Sequence, residues 1–148
     1  ATYCLSKLTE ESLQLVRLKL NQLKISVQLE KPEEEIYIDA NKGQIQQVML
    51  NLIFNASQAM PKSGGSIHLK LFKHKELAYF TIRDTGHGIP DGFRERIFES
   101  FLTNRSEGSG LGLSIAQGIL SSHRGTIALL ESSSEGTTFQ FTLPLSKT

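Results

Sequence analysis

Three short stretches of this sequence carry residue types and spacings that suit chemistry. In QQVMLNLIFNASQAM (46–60), Asn51 and Asn55 stand four residues apart, which puts both amides on one face of a helix. Asparagine is a poor choice inside a helix, because its amide competes for backbone hydrogen bonds. An amphipathic boundary where both amides meet water is the plain account of the pair. The chemical account is a side-chain carbonyl facing a hard cation. Magnesium takes oxygen ligands and keeps waters and substrate phosphates, so one neutral amide oxygen suffices.

The second stretch is DTGHGIP (84–90), at the end of an alternating segment. Asp84 there can accept a hydrogen bond from a ligand amine, and Gly86 and Gly88 permit backbone angles and close approaches that side chains block. An ordinary Asx-type turn has the same D-x-G form. In the third, EGSGLGLSI (107–115), glycines run directly into a helix start. The amides near Gly110, Leu111 and Gly112 are therefore open to an anion, with the helix dipole assisting. Neither glycine pair completes a dinucleotide fingerprint, since Leu113 and Asp91 stand where the third glycine belongs, and no P-loop pattern occurs. Between the two glycine stretches, Phe93, Phe98 and Phe101 suit a small apolar cluster pinning one end of a loop. The guanidinium of Arg105 suits phosphate oxygens, although a lone arginine is more often merely solvated.

These residues need a scaffold, and the rest of the chain supplies the pattern for one. Residues 9–23 space Leu13, Val16, Leu20 and Leu23 as a helix, with Thr9 as N-cap. KISVQLE (24–30) alternates as a half-buried strand, and Ile36 and Ile38 form a short apolar pair. Residues 41–60 carry the stripe Ile45, Val48, Met49, Leu52, Ile53, Ala56 and Ala59, capped by Asp39 or Asn41 and ended by Pro61. Segments 66–73 and 77–84 read as a hairpin, 111–123 as a helix, and TIALLESS and TTFQFTLPL as two closing strands. The glycine-rich stretch from 85 to 112 is long for a loop, and such loops are commonly functional. Antiparallel pairs with few helices predict a sandwich in which one mixed sheet is covered by helices on one face.

Composition narrows the class. The 148 residues make one domain, and 39% hydrophobic residues suffice for a core. Sixteen Lys and Arg against fifteen Asp and Glu give +1, too balanced for a nucleic-acid or anionic-membrane binder. No apolar run approaches the ~20 residues of a membrane span. The single cysteine, Cys4, suits a reducing cytoplasm. With Ala1 rather than Met first, the sequence reads as a piece of something longer.

NLIFNASQAM, DTGHGIP, the IFESF stretch, EGSGLGL and the final EGTTFQFTLP stand in a recognisable order and spacing. Over roughly residues 24–145 the chain resembles the catalytic and ATP-binding domain of bacterial sensor histidine kinases. That family belongs to the GHKL superfamily, with topoisomerase, mismatch-repair and heat-shock chaperone relatives. The resemblance implies the Bergerat ATP-binding fold. This is an α/β (α+β) two-layer sandwich whose mixed, largely antiparallel sheet is covered on one face by about three helices. It implies ATP and Mg2+ as ligands, Asn55 as the metal ligand and Asn51 as its neighbour near the phosphates. Asp84 would bind the adenine amino group and select against guanine, which offers a carbonyl oxygen there. Gly86, Gly88 and Ile89 would line the base pocket, with Thr137 supporting the same edge. Gly108, Gly110, Leu111 and Gly112 match the glycine box that holds the phosphates. Ala59, Thr103, Ser109 and Leu113 complete the nucleotide-contacting set, and Arg105 and Asn51 would serve phosphoryl transfer. Residues from about 91 to 110 would form the ATP lid, with Phe98 and Phe101 as its phenylalanine box.

The chain also departs from the family pattern. Gln58 stands where many membrane-bound members carry Lys, and Arg105 where related lids carry Lys after a Thr pair. No phosphoacceptor box is present, because none of His68, His74, His87 and His123 is followed by Asp or Glu. The expected function is therefore divided between domains. Residues 24–148 would bind Mg-ATP and donate its γ-phosphate to a histidine on a separate dimerisation domain, with a response regulator as indirect partner. Residues 1–23 would be the helical connection from that domain. The piece itself is expected to be monomeric, with ATP or ADP as ligand and no nucleic acid or direct membrane contact. Two other readings stay open: a GHKL-type ATPase or anti-sigma serine kinase, and a non-catalytic nucleotide-sensing module. Against hydrolysis, Asn51 occupies the position where hydrolysing relatives carry a carboxylate.

Overall fold

The alternating segments of the sequence become five strands of one sheet in the computed structural model, which describes residues 1–98 and 109–147. They are β2 (Ile25–Glu30), β4 (Gly65–His74), β5 (Leu77–Asp84), β6 (Thr126–Ser133) and β7 (Gly136–Pro144), in the spatial order β2-β4-β5-β7-β6. Only β2 and β4 run parallel, and the other three pairings are antiparallel. A parallel pair cannot be joined by a hairpin. The chain between β2 and β4 therefore makes a crossover that includes the helix α2 (Lys42–Gln58).

Alternation sets the two faces of the sheet. Ile67, Leu69 and Leu71 of β4, Phe80 and Ile82 of β5, and Phe139 and Phe141 of β7 are buried, while Lys70 and Arg83 face out. Phe80 and Phe141 stack at 4.6 Å between ring centroids in the middle of this layer. Against it lie α1 (Leu5–Gln22), α2 and α3 (Ser109–Ser122). Each presents an apolar stripe, with Leu13, Val16 and Leu20 on α1, Ile45, Met49, Leu52 and Ile53 on α2, and Leu113, Ala116 and Leu120 on α3. Every such fully buried Leu, Ile or Phe contributes about 2–3 kcal/mol of transfer free energy. The result is the two-layer sandwich with a mixed, mostly antiparallel sheet.

One local expectation changes. Helix α1 begins at Leu5, and Thr9 lies buried inside it, its hydroxyl donating to the Leu5 carbonyl at 2.9 Å. Leu5 and Leu8 extend the apolar stripe by a turn and bury, which outweighs the capping preference of Thr9. Residues 1–4 also form β1 (Thr2–Cys4), paired antiparallel with β3 (Tyr37–Asp39). Of the two candidate caps for α2, Asn41 is the one used, its Oδ1 accepting from Gln44 N–H at 3.0 Å. Asp39 instead accepts from the Thr2 and Ser146 hydroxyls at 2.6 and 3.0 Å.

Candidate functional site

The last two turns of α2, the end of β5, the β6–β7 hairpin and the start of α3 meet around one cleft. It is lined by Asn55, Ala59, Asp84, Gly88, Ile89, Leu113, Thr137 and Phe139. Seven of these eight were singled out from the sequence, and they come from four separate parts of the chain.

Asp84 closes β5 and is buried, with 5% of its surface exposed. Its Oδ1 accepts from Gly86 N–H at 2.8 Å and from Thr137 N–H at 3.2 Å. The Asx turn is therefore real, but neither bond uses Oδ2. Burial pushes the carboxyl above its ordinary pKa, while the two backbone donors and the nearby His87 pull the other way.

The loop after Asp84 is seated on both sides. A Cβ at Gly86 would lie 2.6 Å from Ala59 Cβ and 2.7 Å from its carbonyl oxygen. Gly86 thus lets the loop press on the end of α2, where His87 N–H donates to Ala59 O at 3.1 Å, and it is not among the residues lining the cleft. Gly88 has φ +84°, and a Cβ there would come within 2.1 Å of Ser133 O, so only glycine fits. Next to it, Ile89 N–H donates to Ser132 Oγ at 2.8 Å, and Ser132 Oγ lies 3.0 Å from Thr137 Oγ1.

Asn55, on α2, lines the same cleft from the helix layer. Its Nδ2 is buried without a hydrogen-bond partner, the one such side-chain atom among the described residues. An unsatisfied buried polar group costs about 1–3 kcal/mol. Nitrogen and oxygen exchange places when the amide rotates by half a turn, so the same position can present Oδ1. Asn51, one turn earlier, is half-buried and does not line the cleft.

Asp91–Arg96 forms a 3-10 turn, followed by the fully buried Ile97. Phe93 and Phe98 pack against the core, and the Phe98 ring meets Phe139 edge-on at 6.3 Å. That is the expected pinning cluster as far as Phe98. Phe101, Thr103, Arg105 and Gly108 lie outside the described residues. Ser109, Gly110, Leu111 and Gly112 form the first turn of α3, and Leu113 places the start of that helix beside the cleft. Sequence reasoning missed Phe139 and Ser132. The first could have been found from its position two residues past Thr137 on one strand face, whereas the second needs the hairpin register that pairs Ser132 with Thr137. Among the described residues no group of three or more His, Cys, Asp or Glu could hold a metal ion.

Residues 40–147 match the family of histidine kinase-, DNA gyrase B- and HSP90-like ATPases. Sporulation kinase A of Bacillus subtilis (strain 168) is 34% identical over 140 residues, covering 95% of this chain and 23% of that protein. The catalytic domain of the histidine kinase ThkA has a TM-score of 0.86 at 29% identity, covering 97% of this chain and 94% of that one. ThkA solved in complex with the response regulator protein TrrA gives 0.84 at 28% identity, covering 99% of this chain and 42% of that one. The chain thus spans less than a quarter of sporulation kinase A but nearly the whole of the ThkA catalytic domain.

Proposed function

The chain belongs to the family of histidine kinase-, DNA gyrase B- and HSP90-like ATPases, and from that premise we propose that it is the ATP-binding module of a sensor histidine kinase. In this reading it binds Mg-ATP and donates the γ-phosphate to a histidine on a dimerisation domain of the parent protein, which passes the phosphoryl group to a response regulator. One observation carries the reading. A single cleft brings together a buried carboxylate, Asp84, on its sheet side and, on its α2 side, a buried amide, Asn55, with no partner among the described residues.

Each residue has a role that follows from its chemistry. Asp84 accepts from the exocyclic amine of adenine, which guanine cannot offer at that position. Ile89 and Phe139 give the base apolar walls, and Ala59 and Gly88 leave room beside it. The buried amide of Asn55, without a partner among the described residues, would hold a magnesium ion through its oxygen. A magnesium ion held there would supply positive charge against the phosphates. The first four N–H groups of a helix have no partner within it, so the first turn of α3, Ser109 to Gly112, offers donors to the phosphates. Asn51, Thr103, Arg105 and Gly108 complete the proposed phosphate side. The protein's share of phosphoryl transfer is thus positioning and charge stabilisation.

Residues 1–23 are proposed to join this module to the dimerisation domain, an arrangement supported by the relatives' greater length. None of the four histidines is proposed as the phosphorylated one. His123, for example, is occupied by backbone groups, its two ring nitrogens lying 3.1 Å from Asn41 N and 2.8 Å from Ile119 O. No described helix is long and apolar enough to cross a membrane, and a cytoplasmic setting suits an ATP-dependent module with one cysteine.

Two assays test the reading in order. Calorimetric titration with ATP, GTP and magnesium-free ATP is expected to show a clear preference for Mg-ATP. Adding a dimerisation domain in trans with labelled ATP is then expected to give phosphohistidine on that domain. No heat from a folded chain would overturn nucleotide binding. Binding without phosphohistidine on the domain from its own parent protein would leave a nucleotide-sensing module instead.

A further inference from the structure

Ser132 of β6 and Thr137 of β7 face each other as a register pair, with their hydroxyl oxygens 3.0 Å apart. Ser132 Oγ already accepts Ile89 N–H at 2.8 Å, and Thr137 N–H donates to Asp84 Oδ1 at 3.2 Å. One chain of hydrogen bonds therefore runs from the loop after β5, through both hairpin strands, and back to the carboxylate. A hydroxyl has one proton to give and two lone pairs to offer. The Ser132–Thr137 contact consequently has two arrangements. If Thr137 donates to Ser132, the serine oxygen accepts twice, and its own proton has no acceptor among the described residues. Thr137 then shows the cleft only lone pairs. If Ser132 donates to Thr137, both of its roles are filled inside the protein. The threonine proton is then the one left over, on a side chain that lines the cleft. Stranding a half-buried donor is the costlier choice, so the second arrangement prevails whenever a ligand brings an acceptor.

We propose that Ser132 is a positioning residue for base recognition. It accepts Ile89 N–H, donates to Thr137, and thereby turns the Thr137 hydroxyl into a donor toward the cleft beside the Asp84 acceptor. An acceptor next to a donor matches the amino group and adjacent ring nitrogen of adenine. It mismatches hypoxanthine and guanine, which present a carbonyl oxygen and a ring N–H at the same edge. This inference rests on the adenine-nucleotide reading of the cleft and adds a residue outside its lining to the specificity of the site.

The test is a comparison of ratios. Dissociation constants of ADP and inosine diphosphate are measured by calorimetry for the unaltered chain, Ser132→Ala and Ser132→Thr, with thermal unfolding run on each. The unaltered chain is expected to prefer ADP. Ser132→Ala narrows the preference roughly three- to tenfold, the scale of one hydrogen bond, and Ser132→Thr restores it. If Ser132 only pins the loop, both nucleotides weaken together and the ratio stays fixed, which overturns the proposal alone. An unaltered chain that does not distinguish the two nucleotides overturns the adenine reading, and the proposal with it. Should the alanine variant unfold, Ser132→Cys gives the same readout, being close in size and a weak hydrogen-bond former.

Discussion

The two ends of the cleft are finished to different degrees. At the sheet end, Asp84 Oδ1 holds two backbone N–H groups, Ile89 N–H is taken by Ser132, and glycine is required at position 88 by its backbone. At the α2 end, Asn55 Nδ2 is buried with no partner among the described residues. Buried polar groups in native proteins are almost always paired, so an amide beside a cleft with no partner among the described residues fits one that a ligand supplies. Under the proposed function, the fold preorganises the part that would read a base and leaves the part that would meet phosphate and metal for the ligand to complete. A preformed base end lowers the ordering cost of binding.

The largest expected effect comes from reversing hydrogen-bond polarity at the finished end. Asp84→Asn keeps an oxygen for Gly86 and Thr137 N–H but sets an amide nitrogen against the adenine amine. ADP affinity should fall by about 30- to 100-fold, the range for a charge-assisted bond replaced by a donor–donor conflict. Stability should move the other way. Because burial raises the folded-state pKa of Asp84, the ionised group disfavours folding. That penalty is absent below the unfolded-state pKa and grows as pH rises through the folded-state one. The variant should therefore melt no lower than the original chain at neutral pH, and the difference should shrink on acidification. Thermal unfolding across pH checks this; a variant that melts several degrees lower at neutral pH would mean the backbone bonds outweigh the burial cost.

The unfinished end predicts a different pairing of effects. Asn55→Ala should reduce the magnesium dependence of ATP binding by about tenfold or more, since the one proposed protein oxygen for the ion is gone. Yet the free chain should not lose stability, because the amide nitrogen has no bond to lose among the described residues and its burial is already a cost. Differential scanning calorimetry with magnesium-dependent titration separates the two effects. A drop of several degrees in the melting temperature would make Asn55 a structural residue and erase the contrast between the two ends.

That contrast also marks what could be read from the sequence. The main sheet and its helices were legible because alternation and the 3.6-residue stripe are consequences of burying one face, as in Ile67, Leu69 and Leu71 or Ile45, Met49 and Leu52. Strands β1 and β3 were not, since three residues are too few to show a period and they exist through mutual pairing. In the site, Asp84, Asn55 and Gly88 stood out as residue types that need a reason to be where they are. Gly86 was legible as a constraint, but not the contact it spares, which is with Ala59 at the end of α2. Ser132 was invisible, because a serine in a strand is unremarked until the hairpin register brings it to Thr137 and the loop brings Ile89.

The smallest effect tests whether the two ends depend on how α2 is anchored. His123 follows α3, and its Nε2 accepts the backbone N–H of Asn41, the N-cap of α2, at 3.1 Å. With that nitrogen accepting, Nδ1 carries the proton and donates to Ile119 O at 2.8 Å. The ring therefore ties the far ends of α2 and α3 together, about 20 Å along α2 from Asn55 at 1.5 Å per residue. His123→Ala removes both bonds from a partly exposed position and should cost about 1–2 kcal/mol, a melting point lower by a few degrees. Neither the ADP preference over inosine diphosphate nor the magnesium dependence should change, because the glycine loop and the β6–β7 hairpin seat the base end independently of this tie. If the ADP preference weakens in step with the melting temperature, the base end is not preformed by its local backbone bonds but held by the packing of α2. The difference between the two ends would then be one of degree.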